Sequence, residues 1–297
     1  ALAEDPSSEQ TSQVLHRLAE TTGRWQDLAR VLDERAAAAA TGENADATLA
    51  STLQTAAARV HEEALQDVEG AVARYRKVLE LDPTNLPAAE SLERLFQVAE
   101  RWPDLSAILQ RQCEIFDLFD DKKQALFSAA SIEEDVLQRV DPAIAVYQKI
   151  LELDPEEERA LEALMKHFLE LQRWNELLDV YQRKVDLVVD PDDKKRVLYQ
   201  MGAVWERELK DVAKAIETYQ RVLELDPSDL TALGRLDVLY QASSNWPELL
   251  GILQRESELS SDPGATISFQ YRIAELYETH LDDVPRAIDL YRDVLNA

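Results

Sequence analysis

The residue types that most often carry catalysis are few in this chain and stand far apart in its sequence. The 297 residues include four histidines and one cysteine, Cys113. No His or Cys neighbour lies at metal-ligand spacing from His16, His61, His167 or His280. Cys113 has no histidine in register on its predicted helix, so we expect a buried structural thiol rather than a nucleophile. His61 falls on an aromatic slot of a repeat described below, which favours a packed histidine.

Phosphate-binding and calcium-binding loops are also missing from the sequence. Gly202, Gly234 and Gly251 stand singly within helical patterns, whereas a phosphate loop needs clustered glycines. The acidic run at residues 156–158 follows Pro155 at a predicted helix start, where carboxylates interact favourably with the helix dipole. It lacks the alternating ligands and central glycine of a calcium loop. We therefore expect no catalytic residue, no cofactor, no metal site and no enzymatic activity.

Composition indicates an acidic helical protein. Only 7 glycines and 11 prolines are present, and strong helix formers dominate. The net charge of −26 repels phosphate backbones and anionic lipids, so neither nucleic acid nor a membrane is an expected partner. No targeting segment or long apolar run is visible, so we expect no membrane insertion and a cytoplasmic location.

Two sequence markers recur along the chain with one common period. The strings Val-Leu-Glu-Leu-Asp-Pro or Ile-Leu-Glu-Leu-Asp-Pro end at Pro83, Pro155 and Pro227. Tryptophans stand at Trp102, Trp174 and Trp246, each with a leucine three positions later. Two independent markers with the same period indicate an internal repeat. The prediction of the fold is therefore based on this repeat.

Each 72-residue segment is predicted to contain two helix pairs. Upstream of the first Asp-Pro, Ala71, Tyr75 and Val78 lie on one helical face because they are four and then three positions apart. The same triplet recurs at Ala143, Tyr147 and Ile150, at Ala215, Tyr219 and Val222, and at Ala287, Tyr291 and Val294. The residue before a proline disfavours the α conformation, so each Asp-Pro ends a helix. Five extra residues near residues 36–44 predict a longer helix and loop in the first segment.

These motifs resemble the tetratricopeptide repeat, a helix pair of about 34 residues. The run from Val212 to Pro227 is similar to the second helix and exit turn of that family, and Met201-Gly202-x-x-Trp205 to its first helix, with one extra residue before the second helix. The resemblance implies an all-α fold, an α-solenoid with a right-handed superhelix of about eight helix pairs. Four units are predicted at residues 7–83, 84–155, 156–227 and 228–297, as part of a longer bacterial array.

In this family the first helix of each pair lines a concave groove that binds partner segments, which is implied by the resemblance and not by the spacing. The corresponding slots give the candidate partner-binding residues Arg94, Lys166, Tyr199, Glu206, Gln241 and Glu278. Arg94 has no acidic residue three or four positions further on. We expect a protein or peptide partner of basic or mixed charge, together with weak end-to-end association through apolar helix faces.

The function predicted from these residues is a protein–protein interaction scaffold or adaptor, for example in bacterial motility, polarity, pilus or secretion assemblies, and the sequence does not select among those assemblies. One alternative is a non-catalytic regulatory or substrate-docking arm of a larger enzyme, with catalysis outside these residues. A second alternative is a structural spacer in an envelope assembly.

Overall fold

A computed structural model describes residues 9–41 and 45–296, and these residues form helices and connecting turns without a β-strand. The chain divides into two compact units, residues 1–160 and 161–297. Within the described ranges there are sixteen α-helices, which confirms the predicted all-α fold. The exit-like motif that ends at Pro6, and residues 42–44 of the predicted loop, lie outside the described residues.

Eight helices belong wholly to the first unit. They are α1 (Glu9–Thr22), α2 (Trp25–Ala40), α3 (Ala47–Arg59), α4 (Val68–Leu81), α5 (Leu86–Val98), α6 (Trp102–Ile115), α7 (Phe119–Ser131) and α8 (Val140–Leu153). Two π-helical segments continue α3 and α7, at Val60–Ala64 and Ile132–Val136. The boundary between the units falls within α9 (Glu158–Glu170).

The second unit contains most of α9 and seven further helices. They are α10 (Trp174–Leu187), α11 (Pro191–Ala203), α12 (Val212–Leu225), α13 (Leu230–Ala242), α14 (Trp246–Leu259), α15 (Pro263–Thr279) and α16 (Val284–Asn296). A third π-helical segment, Val204–Glu208, continues α11. We call the odd-numbered helices first helices and the even-numbered helices second helices.

Within each unit the helices pack mainly against their neighbours in sequence. In the first unit the successive contacts run from α1–α2 to α7–α8, and in the second unit from α10–α11 to α15–α16. Packing that is mainly between neighbours in sequence is typical of an α-solenoid rather than of a closed bundle. The grouping of the helix pairs into four 72-residue units stays a prediction.

The predicted helix face forms the core of each unit. Ala71, Tyr75 and Val78 of α4 are buried, and so are Ala215, Tyr219 and Val222 of α12. A small residue is needed opposite the tyrosine. A Cβ added at Gly202 would lie 2.6 Å from the ring of Tyr219, so this glycine allows the ring to approach the backbone of α11 closely.

Every turn from a first to a second helix contains one residue in the left-handed conformation. These residues are Gly23, Gln66, Glu100, Gln138, Gln172, Lys210, Ser244 and Asp282. Such a residue ends a helix by turning the chain so that a later N–H reaches back to a free carbonyl, as Arg101 N does to Phe96 O at 2.8 Å. From Gln66 onward, the number of residues that separates successive left-handed residues alternates regularly between a smaller and a larger value. The chain therefore contains two alternating types of helix pair.

The longer type of pair accommodates its extra residue in a π turn. In these pairs the residue just before the left-handed one donates a backbone hydrogen bond to the carbonyl five positions earlier, with N to O distances of 2.9–3.1 Å, at Leu65–Val60, Leu137–Ile132, Leu209–Val204 and Leu281–Leu276. In the shorter type the five-apart bond, as from Arg101 to Phe96, instead spans the left-handed residue. A π turn contains one more residue than an α turn. It therefore explains the extra residue that separates Met201-Gly202-x-x-Trp205 from the following helix.

Candidate interaction surface

A tyrosine of a second helix donates a hydrogen bond to a glutamate of the preceding first helix in four helix pairs. The pairs are Tyr75 with Glu62 (3.1 Å), Tyr147 with Glu134 (3.0 Å), Tyr219 with Glu206 (3.0 Å) and Tyr291 with Glu278 (2.9 Å), measured from Oη to Oε2. Burial, the hydrogen bond and the nearby carboxylate raise the pKa of Tyr147, Tyr219 and Tyr291 to about 12. Each tyrosine is therefore a neutral donor at physiological pH.

A second aromatic ring lies beside this tyrosine in three of the pairs. In the first unit the rings of Phe127 and Tyr147 are 6.4 Å apart. In the second unit Tyr199 and Tyr219 are 6.0 Å apart, and Tyr271 and Tyr291 are 5.5 Å apart. Three groups, each of an aromatic residue, a tyrosine and a glutamate, are thus built from a first helix and the second helix after it. We call them the aromatic–carboxylate groups.

The structure places Arg94, a predicted partner-binding residue, in an ion pair. Arg94 Nη2 of α5 contacts Glu62 Oε1, so its partner comes from the previous helix pair rather than from its own helix. Arg235 of α13 makes an equivalent contact with Glu206 Oε1 at 3.5 Å. Each of these glutamates uses one oxygen for its tyrosine and the other for an arginine of the next first helix.

The other predicted residues are distributed over the first helices of the second unit. Lys166 lies on α9. Tyr199 of α11 donates to Asp229 Oδ1 and lies beside the ring of Tyr219, which links it to Glu206. Gln241 of α13 accepts a hydrogen bond from Arg272 Nη2 at 3.3 Å. The structure therefore connects Tyr199 with Glu206, whereas Gln241 and Glu278 belong to separate sets of contacts.

Sequence reasoning missed a cluster of charged residues inside the second unit. Arg272 of α15 donates two hydrogen bonds of 2.6 Å to the two carboxylate oxygens of Asp237 on α13. The carboxyl of Glu256 on α14 is buried nearby, and its Oε2 has no hydrogen-bond partner among the described residues. Burial and the charge of Asp237 raise the pKa of Glu256 to about 7, against the opposing effect of Arg272.

A cleft of about 370 Å³ adjoins Arg272 between α13, α14 and α15. Its walls include Gln241, Trp246 and Glu275, and the ring of Trp246 stacks on that of His280 with 3.8 Å between centroids. Trp246 is the first residue of α14, and Trp25, Trp102 and Trp174 begin α2, α6 and α10. The tryptophans therefore lie at the predicted turns and are half-buried.

The structure also shows the surroundings of Cys113, His61 and the acidic run at residues 156–158. Cys113 is half-buried rather than buried, and its pKa is raised by burial. His61 is half-buried and its Nδ1 lies 2.8 Å from Asp67 Oδ2. Glu157 lies in the turn before α9 and accepts a hydrogen bond of 2.6 Å from Lys123, which also contacts Asp154. The acidic run at 156–158 is thus partly occupied by a lysine of α7.

Within residues 9–41 and 45–296, no group of three or more His, Cys, Asp or Glu side chains could hold a metal ion. No helix in the same ranges is long and apolar enough to cross a bilayer.

The helix pairs, their packing mainly against neighbours in sequence and their recurring turns define an α-helical repeat protein. Models of the tetratricopeptide repeat family match residues 160–195 and 196–229, so this part of the chain consists of tetratricopeptide repeats. Repeats of this family are protein-interaction modules and typically non-catalytic, which supports an interaction scaffold in general terms.

Individual proteins are similar to parts of this chain. Superkiller protein 3 of Schizosaccharomyces pombe is 32% identical over 124 residues, which is 40% of this chain and 9% of that protein. YrrB, described as a TPR protein with an unusual peptide-binding site, is 19% identical with a TM-score of 0.34, over 58% of this chain and 84% of its own. The TPR domain of P58(IPK) is 15% identical with a TM-score of 0.31, over 97% of this chain and 83% of its own.

Proposed function

We propose that this chain is a scaffold that binds a protein or peptide partner of basic or mixed charge on its first helices. The observation that supports this proposal is the recurrence of the aromatic–carboxylate groups. Each group places an aromatic face beside a glutamate, and the tyrosine–glutamate hydrogen bond of each of the three groups fixes the position of the carboxylate. A preformed group of this kind favours binding because little side-chain entropy is lost when the partner arrives.

The first unit shows which kind of side chain an aromatic–carboxylate group can bind. The guanidinium carbon of Arg159 lies 4.2 Å from the centroid of the Phe127 ring. An arginine over an aromatic face is a favourable cation–π contact. In the second unit Tyr271 occupies the place of Phe127, and its side chain is half-exposed. An arginine or lysine of a partner would make the same contact there, with Glu275 and Glu278 nearby on α15.

The overall charge of the chain favours the same class of partner. A net charge of −26 increases the rate of encounter with basic molecules and decreases it for acidic ones. Exposed Val238 of α13 adds an apolar contact at the repeat position that Arg94 and Lys166 occupy in earlier repeats. Charge complementarity and aromatic contacts together favour a partner segment that is basic or of mixed charge and that contains apolar residues.

Peptide binding to the intact chain tests this proposal. We expect arginine-containing basic and mixed-charge peptides to bind in a fluorescence anisotropy assay, and acidic peptides of equal length and apolar content not to bind. Tyr271→Ala and Glu275→Lys should each weaken binding about tenfold, by loss of a cation–π contact and by charge repulsion. Both residues are exposed, so neither change removes core packing.

The matched control lies on a second helix. Glu217 and Glu224 of α12 are exposed glutamates, and their replacement by lysine changes the net charge in the same way as Glu275→Lys. We expect these two variants to bind as the native chain does at moderate salt. Equal losses in all the lysine variants would show that only net charge matters, and would contradict a site on the first helices.

A further inference from the structure

The turn between α6 and α7 exposes two large apolar side chains. Leu118 is 67% exposed and Phe119, the first residue of α7, is 46% exposed. Phe116, two residues before Leu118, is half-buried. Single exposed apolar residues are normal on protein surfaces, whereas contiguous ones are a feature of interaction sites. We call Phe116, Leu118 and Phe119 the apolar turn.

The fold does not require an apolar residue at the start of α7. Asp46, Asp190 and Asp262 occupy the equivalent position before α3, α11 and α15, and the side chain of each accepts a hydrogen bond from a backbone N–H of the helix that follows. Leu118 precedes α7 and makes no such bond. An apolar residue in place of a capping aspartate destabilises a helix. The chain therefore lacks a stabilising interaction at Leu118 and exposes apolar surface there instead.

The ring of Phe119 is positioned by a lysine that is itself held by two carboxylates. Lys123 Nζ lies 5.3 Å from the centroid of the Phe119 ring, which is a cation–π contact. The same amine lies 2.9 Å from Asp154 Oδ2 and 2.6 Å from Glu157 Oε2. These contacts favour one orientation of the ring, so a partner that binds its exposed part orders few additional side chains.

The charge around the apolar turn is negative. In α11 the carboxylate of Asp193 pairs with Arg196, but Gln124 occupies the position of that arginine in α7. Lys123 is already paired, and Lys122 is half-buried. Three exposed carboxylates without an ion pair in the part of the chain that the structure describes therefore flank the apolar turn: Asp117, Asp120 and Asp121.

We propose that the apolar turn is a second binding surface, whose occupant is a protein segment with large apolar side chains flanked by lysine or arginine. The apolar side chains of this segment cover Leu118 and Phe119, and its cations meet Asp120 and Asp121. The negative charge around the turn opposes an anionic membrane and a second copy of this acidic chain. The apolar turn contains no residue of the aromatic–carboxylate groups, so binding there does not depend on the function proposed above.

A double variant with the sequence of the equivalent turns tests the proposal. Leu118→Asp with Phe119→Pro reproduces Asp190-Pro191, and the new N-cap should raise the urea concentration at which the chain unfolds. Short random peptides displayed on phage are selected on the intact native chain, with the double variant as counter-selection. We expect the enriched peptides to combine large apolar residues with lysine or arginine. In fluorescence anisotropy, a synthetic peptide of enriched sequence should bind the double variant about tenfold more weakly than the native chain, or weaker still.

Two control variants distinguish this surface from other sites. Val189→Asp adds a carboxylate to the equivalent turn between α10 and α11 and removes a side chain that is 93% exposed. Tyr271→Ala alters an aromatic–carboxylate group. Both variants should bind the peptide as the native chain does. An equal loss of binding in Tyr271→Ala would assign the peptide to the first-helix site and overturn the proposal.

Three other results would also overturn it. The first is a selection that enriches no peptide against the double variant, or only peptides that lack apolar or basic residues. The second is a double variant less stable than the native chain, because the fold would then require Leu118 or Phe119. The third is self-association of the native chain in sedimentation velocity that the double variant abolishes, which would identify a second copy as the occupant.

Discussion

Replacing Glu256 by glutamine should stabilise the second unit above neutral pH. The carboxyl of Glu256 is buried near Asp237, and its Oε2 has no hydrogen-bond partner among the described residues. An equivalent position in the first unit shows how a glutamine fits. Gln112 corresponds to Glu256 and donates a hydrogen bond of 2.7 Å to Glu93, which corresponds to Asp237. Glu256→Gln should form the same hydrogen bond to Asp237.

The magnitude follows from the raised pKa. The folded state holds the proton of Glu256 up to about pH 7, whereas the unfolded chain releases it near 4.5. Stability is therefore unaffected by this group below about pH 4.5, falls as pH rises, and carries the whole penalty above about pH 7. At about 1.4 kcal/mol per pKa unit this penalty is at most about 3.5 kcal/mol. Because buried glutamine also loses hydration, we expect a net gain of about 1–3 kcal/mol at pH 8 and little change at pH 5.

The assay is unfolding of the native chain and the variant in urea at pH 5 and pH 8. Hydrogen exchange of α13, α14 and α15 should accompany it, because repeat arrays unfold in parts rather than as one unit. Glu258 lies on the same helix and is exposed, so Glu258→Gln is the matched control and should show no pH-dependent gain. If the gain from Glu256→Gln were the same at both pH values, the buried carboxyl would not be the cause.

Three further predictions concern the turns, the tyrosines and one lysine. Gln138 has a positive φ, which glycine tolerates, so Gln138→Gly should raise the free energy of unfolding in urea melts by about 0.5–1 kcal/mol. Gln124→Gly inside α7 is the control and should lower it by about 1 kcal/mol. Tyr219→Phe should lower the free energy of unfolding by about 1–2 kcal/mol, because the hydrogen bond to Glu206 is lost, and Tyr219→Ala should lower it by about 3–5 kcal/mol. Equal losses for the two variants would contradict a separate role for the hydroxyl. Lys123 lowers the pKa of Asp154, so Lys123→Met should destabilise the protein at pH 7, and this destabilisation should shrink as pH falls below about 3.8. Urea melts of the native chain and the variant at pH 7 and pH 3 measure the difference.

The helices and their buried faces could be predicted because the signals are local. Ala71, Tyr75 and Val78 lie within two turns of one helix, and Asp-Pro marks its end, so spacing alone identifies the face. The contacts of Arg94 could not be predicted in this way. Its partner Glu62 lies on another helix, and the distance between them depends on how successive pairs are aligned. The same reason applies to Arg272 and Asp237.

One missed contact did leave a signal in the sequence. A glutamate precedes each of Tyr75, Tyr147, Tyr219 and Tyr291 at one constant spacing, and these glutamates are Glu62, Glu134, Glu206 and Glu278. Comparing all four repeats at that spacing would have indicated a hydrogen bond within each pair, and a structural role for Glu206 and Glu278. The half-exposed ring of Tyr271 could have been found by following the position of Tyr199 to the next repeat.

The alternation of short and long helix pairs limits how this protein can be shortened or lengthened. Within residues 9–41 and 45–296, π-helical segments occur in pairs of the longer type and in none of the shorter type, so the two types are not interchangeable neighbours. Removing a single pair would place two pairs of the same type in contact, with side chains that never meet in the native chain. Removing one pair of each type together would join the same two kinds of surface that already pack against each other. Gene duplication or engineering can therefore change the length of this array without loss of packing only in steps of two pairs.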